Sequence, residues 1–191
     1  LDKLSSEAEI AVREGYKHLI LSDKQLSENR TAIPMILAFG AINSKLVNLG
    51  IRGFASINIQ TGETLDTHSF AVLLGIGATT INPYLAFDSI YQRYEKKLFS
   101  KLSYKECVQR YIKSVDNGLL KIMSKMGISV LSAYRGGCNF ETVGLSRAVV
   151  AEYFPGMISR ISGIGILGIE KKIKELHKKA FQKNLSILPI G

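Results

Sequence analysis

Short apolar runs recur along this chain, each closed by a loop carrying Gly, Pro, Asp or Ser and each followed by a helix-period segment. That alternation restricts the fold more than any other feature. Residues 18–21, His-Leu-Ile-Leu, end at Ser22-Asp23 and read as a buried strand. Pro34 then stands in the first turn of a helix, where its missing N–H is harmless, and Leu37, Ala38, Ala41, Ile42 and Leu46 form a stripe that ends near Gly50. A strand over residues 54–59 turns at Thr61-Gly62. A helix over 66–74 follows, with Asp66 or Thr67 as its N-cap. Gly75-Ile76-Gly77-Ala78 connects it to a strand over 79–81, which Asn82-Pro83 closes because proline cannot donate to a ladder.

The second half reads as more helical. Residues 85–97 form one segment and 104–126 a long helix, with Val108, Tyr111, Ile112, Val115, Leu119, Ile122, Met123 and Met126 at spacings of three and four. A strand is predicted over 128–134, short helices over 139–143 and 147–153, and a last helix over 166–181. At the start of the chain, Ser6 and Glu9 have capping-box spacing, and Gly15 stops the helix they open. Strands alternating with helices imply a parallel α/β architecture with helices on the outer faces of the sheet. Four or five strands, on this reading of the sequence, are too few for a closed eight-stranded barrel. The expected fold is therefore α/β, a mainly parallel sheet flanked by helices, open or partial-barrel-like.

Composition removes several classes. Hydrophobic residues make up 46% and charged residues 21%, enough apolar material for a packed core. The longest apolar stretch, 33–50, is interrupted by Asn43, Ser44 and Lys45, so no membrane span is expected. Acidic residues at 2, 7, 9 and 14 do not suit a secretory signal. Two cysteines, Cys107 and Cys138, cannot make a disulfide scaffold or a four-thiolate metal site. Residues 96–191 hold 17 Lys/Arg against 6 Asp/Glu, a net of +11. Without interleaved aromatics or a nucleic-acid motif, these lysines read as solvated helix faces, and no nucleic-acid partner is expected.

Candidate chemistry is sparse. Gly163, Gly165 and Gly168 match G-x-G-x-x-G at the start of a helix, and two readings are open: a phosphate- or flavin-binding turn, or a tight turn for helix packing. No acidic residue follows about 20 positions on, where a dinucleotide site would carry one. Gly75 and Gly77 make a second glycine-rich turn. Arg135, in Tyr134-Arg135-Gly136-Gly137-Cys138, reads either as an anion clamp after a strand or as a surface ion pair. Cys138, at the predicted helix start, is a candidate for a lowered thiol pKa. His18, His68 and His177 are scattered without companions at ligand spacing, so no metal site is expected.

Several strings are more specific. Ile20-Leu21-Ser22-Asp23, Ile33-Pro34, Phe70-Ala71-Val72-Leu73-Leu74-Gly75-Ile76-Gly77-Ala78 and Ile81-Asn82-Pro83-Tyr84-Leu85-Ala86 occur in that order. Residues 111–129, Phe140-Glu141-Thr142-Val143-Gly144-Leu145 and Ser159-Arg160-Ile161-Ser162-Gly163-Ile164-Gly165 continue the series. Together they resemble the central region of glutamate synthase, in its large-subunit or ferredoxin-dependent form. The resemblance implies a segment of a multidomain oxidoreductase that makes glutamate from glutamine, 2-oxoglutarate and a reductant. It implies an α/β unit over residues 1–183 that forms the scaffold and ammonia-tunnel wall between amidotransferase and FMN domains, with 184–191 a linker. It further implies FMN and an iron–sulfur cluster elsewhere in the enzyme, a ferredoxin or an NAD(P)H-linked subunit as electron donor, and a cytoplasmic or plastid-stromal location. No catalytic residue, cofactor ligand or metal ligand is carried onto this chain. The family's histidine-rich stretch after Pro34 is replaced here by Asn43-Ser44-Lys45, and its paired histidine by Thr67-His68.

Overall fold

A computed structural model describes residues 1–182 of the 191. The proposed linker, 184–191, and the end of the proposed unit at 183 lie outside the described residues. The chain begins with α1 (Asp2–Arg13), β1 (His18–Ser22), α2 (Met35–Asn48), β2 (Ser56–Gln60), α3 (Thr67–Gly75), β3 (Thr80–Asn82) and α4 (Tyr84–Glu95). It continues with α5 (Tyr104–Lys125), the one-turn α6 (Leu131–Tyr134), β4 (Glu141–Leu145), α7 (Arg147–Tyr153), β5 (Ile158–Ile164) and α8 (Ile166–Ala180).

The parallel α/β architecture is as expected, but it is divided. β1, β2 and β3 form one parallel sheet in sequential order, and β4 and β5 form a second parallel pair. Sequential order with a helix between each pair of strands is the pattern of repeated right-handed crossovers. The five strands among the described residues close no barrel.

Four helix starts and stops follow local chemistry. The Asp66 side chain accepts from the Ser69 N–H at 2.8 Å and caps α3. Pro34 is the N-cap of α2. Gly15 and Gly127, with φ of +94° and +71°, carry the left-handed turns that end α1 and α5. The Ser6–Glu9 capping box does not form. α1 starts at Asp2, which places Ser6 inside the helix, where its hydroxyl accepts from Lys45 Nζ at 3.0 Å. The capping box of this protein is instead Ser103 with Glu106, at the start of α5.

Two predicted elements are corrected. Residues 128–134 make no strand: Gly127 turns the chain, Val130 is extended and exposed, and Leu131–Tyr134 coil into α6 so that Tyr134 is buried. A short apolar run does not by itself distinguish strand from helix, and this one pairs with no strand among the described residues. Residues 139–143 make no helix. Thr142 and Val143 suit a strand and pair with β5, and Gly144, at φ +81°, accommodates the irregular register of that ladder. As a result Cys138 precedes a strand, not a helix, and its thiol is exposed.

Helix α2 is the hub of the packing. Nine of its fourteen residues are buried, so the predicted single stripe became a helix covered nearly all round. Phe39, Ile42 and Leu46 pack with Ile57 and Ile59 of β2 and with Ala8 and Val12 of α1. On its other side Leu37 meets Val149, Val150 and Phe154. Gly40 permits that approach: a Cβ there would come within 2.6 Å of the Phe154 ring and 2.7 Å of the Tyr153 carbonyl oxygen. The Ser44 hydroxyl donates to the same Tyr153 carbonyl at 3.0 Å. A third cluster joins Ala71 and Leu74 of α3 to Met123 of α5 and to Tyr134.

Candidate functional site

The loops leaving the three strands of the larger sheet meet at its carboxyl edge, where α/β proteins gather ligands. Asp23 follows β1, Thr61-Gly62-Glu63 follows β2, and Tyr84 follows Pro83 after β3. The buried Asp23 carboxylate accepts from Thr61 Oγ1 at 2.5 Å and from the Gly62 N–H at 3.1 Å. The Glu63 N–H donates in turn to Thr61 Oγ1 at 3.1 Å. Glu63 sends its own carboxylate to the start of α2, accepting from the Met35 N–H at 2.8 Å. This position favours negative charge, because the first N–H groups of a helix lack internal partners.

Glu63 as a residue is exposed, but its carboxyl group is turned into the protein. Desolvation there raises its pKa, against the lowering effect of the Met35 N–H and with a further rise from the nearby Asp23 charge. The Tyr84 hydroxyl lies over Gly62, where a Cβ would sit 3.1 Å from it. Desolvation, then its hydrogen bond to Asp23 and the charges of Asp23, Asp88 and Glu63, push this phenol up to about 12, so it stays protonated near neutral pH. Lys24 Nζ lies 5.6 Å from the centre of the Tyr84 ring. Beside these groups Thr64 Oγ1 is buried without a hydrogen-bond partner among the described residues. The edge thus holds two carboxylates, a protonated phenol and a threonine hydroxyl. The described residues contain no group of three or more His, Cys, Asp or Glu placed to hold a metal ion.

One face of the same sheet is polar and open. Parallel sheets are ordinarily covered on both faces and built from apolar runs. Here Leu21, Ile57 and Ile59 point into the core, while the opposite face presents His18, Ile20, Ser22, Ser56, Asn58, Gln60, Thr80 and Asn82. Its side chains are tied across the strands. Ser22 Oγ donates to Gln60 Oε1 at 2.7 Å, Thr80 Oγ1 to Asn58 Oδ1 at 2.7 Å, and Asn58 Nδ2 to the Leu19 carbonyl at 3.3 Å. A groove of about 660 Å³ runs beside it, along β1 and up to Asp23.

The glycines singled out in the sequence lie elsewhere. Gly163 is within β5, Gly165 is the N-cap of α8, and Gly168 is in the first turn of α8. A Cβ on Gly163 would meet the Gly144 carbonyl oxygen at 2.0 Å, and one on Gly168 would meet Ile164 at 2.9 Å. Gly77 has φ +116°, and a Cβ on Gly75 would meet the Phe140 ring at 2.4 Å. Arg135 does not follow a strand and sits at the amino edge of the sheet, beside Arg52. The carboxyl-edge residues were not picked out from the sequence. Their signal was positional: an Asp, a Thr-Gly-Glu and a Pro-Tyr each directly follow one of three parallel strands.

No helix among the described residues is long and apolar enough to cross a membrane. The chain is 52% identical, over all of its 191 residues, to the large chain of a glutamate synthase [NADPH] from Azospirillum brasilense. It is 41% identical, over 97% of its length, to the corresponding large chain from Bacillus subtilis. A chloroplastic ferredoxin-dependent glutamate synthase from Spinacia oleracea is 37% identical over 96% of the chain. The chain spans only 12–13% of the length of these relatives. The family model described as the glutamate synthase central domain matches residues 1–146, from α1 through the end of β4, and the chain belongs to that family.

Proposed function

We propose that this chain is a central segment of a glutamate synthase and that its open polar sheet face is part of the wall along which ammonia passes from an amidotransferase domain to an FMN domain. The observation that carries the reading is the row of hydrogen-bonded polar side chains on a face that a parallel sheet would otherwise cover with apolar packing. A conduit for ammonia needs a shaped polar wall held still by its own hydrogen bonds, and this face has that construction. Exposed apolar residues point the same way for the scaffold role. Val143, Ile158 and Ile161 on the β4–β5 pair, and Leu167 and Leu176 on α8, are each more than half exposed, as on a unit that packs against other parts of a longer polypeptide.

On this reading the complete enzyme forms glutamate from glutamine and 2-oxoglutarate with electrons from ferredoxin or an NAD(P)H-linked subunit, in the cytoplasm or plastid stroma. Residues 1–183 act as one unit and 184–191 as a linker. The catalytic residues belong to the neighbouring domains, as do FMN and the iron–sulfur cluster. The residues present do not fit those groups. Two cysteines, one buried in α5 and one exposed before β4, fall short of the four thiolates a cluster takes. The space over Gly163, which a flavin phosphate would need, is filled by the backbone of β4.

The test uses the complete enzyme with Asn58→Leu and Gln60→Leu. Glutamine-dependent glutamate formation is expected to fall and ammonia to escape to the medium, while synthesis from added ammonia is unchanged. Unaltered coupling between glutamine hydrolysis and glutamate formation would overturn the proposal.

A further inference from the structure

The amino edge of the three-stranded sheet carries charge of the opposite sign. A pocket of about 380 Å³ opens there. It is lined by Lys17 and His18 entering β1, by Arg52, by Gly77 and Thr79 before β3, and by Arg135, which follows α6. Arg52 is half-buried. Its Nε donates to Asn43 Oδ1 at 2.7 Å, and its two terminal nitrogens donate to the carbonyls of Ala55 at 2.8 Å and Gly77 at 3.0 Å. Arg135 donates through one terminal nitrogen to the Thr79 carbonyl at 3.1 Å, and its Nε is buried without a partner among the described residues.

All four acceptors are neutral. None of the ion pairs among the described residues includes Lys17, Arg52 or Arg135. A guanidinium carries five N–H donors. Arg52 spends three and Arg135 one, so most of the donor capacity of the pair is unspent. The guanidiniums also feel each other: desolvation, and then the charge of Arg135, lower the pKa of Arg52. Cations withdrawn from water are ordinarily paired with an acid. This pocket gathers two, with a third at its rim, and holds them by carbonyl and amide oxygens alone.

We propose that the amino-edge pocket is an oxyanion site, in which Arg52 and Arg135 clamp a carboxylate or phosphate group and the exposed Lys17 attracts it. Guanidinium forks suit such groups because two parallel N–H donors match two oxygens. The anion has two available sources: a small molecule in solution, or an Asp or Glu side chain from a neighbouring part of the longer polypeptide. The second source rests on the reading given under Proposed function; the first does not.

The test titrates both the 191-residue chain and the complete polypeptide with inorganic phosphate and with succinate. Ionic strength is held constant with NaCl, and the Arg52 Nε–H resonance and the thermal midpoint are followed. A saturable response is expected. It should weaken about tenfold or more in Arg135→Gln, as for loss of a charge-assisted pair, and by a smaller factor in Lys17→Gln, whose exposed side chain leaves the fold intact. A response in the complete polypeptide assigns the site to an anion from solution. A response in the chain alone assigns it to a neighbouring carboxylate that already fills the pocket. No saturable response in either sample, or an equal response in wild type and Arg135→Gln, would overturn the proposal. The ammonia-coupling experiment does not depend on this result, so the two readings fail separately.

Discussion

The two edges of the three-stranded sheet solve their electrostatics differently. At the carboxyl edge every acid has donors supplied by the chain itself. Asp23 takes the Thr61 hydroxyl and the Gly62 N–H, and Glu63 takes the Met35 N–H at the start of α2. At the amino edge Arg52 and Arg135 have only carbonyl and amide oxygens, and no acid answers them among the described residues. At the first edge the Asp23 and Glu63 carboxylates are answered by donors of the chain itself, and the Asp23 cluster contributes to its stability. The second holds uncompensated charge, which costs stability in the chain alone and is available to an incoming anion. Buried charge balance thus separates a structural polar cluster from one built to receive something.

The largest effect that would break this comparison is at Asp23. Asp23→Ala leaves the buried Thr61 hydroxyl and the Gly62 N–H without their acceptor, so a loss of about 3 kcal/mol is expected, since each orphaned buried group costs roughly 1–3 kcal/mol. A lowered urea midpoint measures it, and an unchanged midpoint would show that the carboxyl edge is not the self-sufficient one. Gly77→Val comes next. Gly77 has φ +116° and its carbonyl holds Arg52, so a β-branched residue is expected to cost about 1–3 kcal/mol with no ligand present. A midpoint equal to wild type would remove the structural role given to this turn.

Glu63 sharpens the comparison through pH. Its native pKa lies above the ordinary carboxylate value of 4.5, so protonation favours the native state. Its contribution is fully present below about 4.5, the unfolded value, and is lost as pH rises through the raised native value. Glu63→Gln keeps an acceptor for the Met35 N–H and carries no charge. The variant is therefore expected to be at least as stable as wild type at neutral pH, with the difference closing as the solution is acidified. Thermal midpoints across pH 3.5–8 check the sign, and a gap that widens toward acid would reverse the assignment. The smallest effect is at the other edge. Lys17→Gln removes an exposed cation without an ion-pair partner among the described residues, and a change within about 0.5 kcal/mol is expected in urea titrations without added oxyanion. A clear destabilisation would mean that Lys17 already has a partner.

Much of the fold was legible because local rules agreed with it. The strand at His18–Ser22, the α3 cap at Asp66, the α2 start at Pro34 and the stops at Gly15, Gly50 and Gly127 all follow from periodicity and end chemistry. The strand–helix–strand rhythm implied parallel pairing, and both sheets are parallel. The errors fall where pairing partners decide. Residues 128–134 are an apolar run without a described strand to pair with, whereas 139–143 are a more polar stretch that became a strand because β5 lies beside it. The stripe on α8 shows the same limit. Its spacing puts Ile166, Ile169, Ile173, Leu176 and Ala180 on one face, yet Leu176 and Ala180 are exposed because no described element covers that end.

The sequence by itself determined most of the elements, their parallel pairing and the family, since periodicity, caps and specific strings are properties of neighbours along the chain. It also contained every residue of both edges, but as isolated letters. Asp23, Thr61, Glu63 and Tyr84 are separated by up to about sixty positions, and Arg52 and Arg135 by more than eighty. Only the tertiary structure decided that the first set meets at one end of three strands and the second at the other. Charge pairing, desolvation and unspent donors depend on distance in space and on the water each packing contact removes. Neither quantity is written in the order of residues.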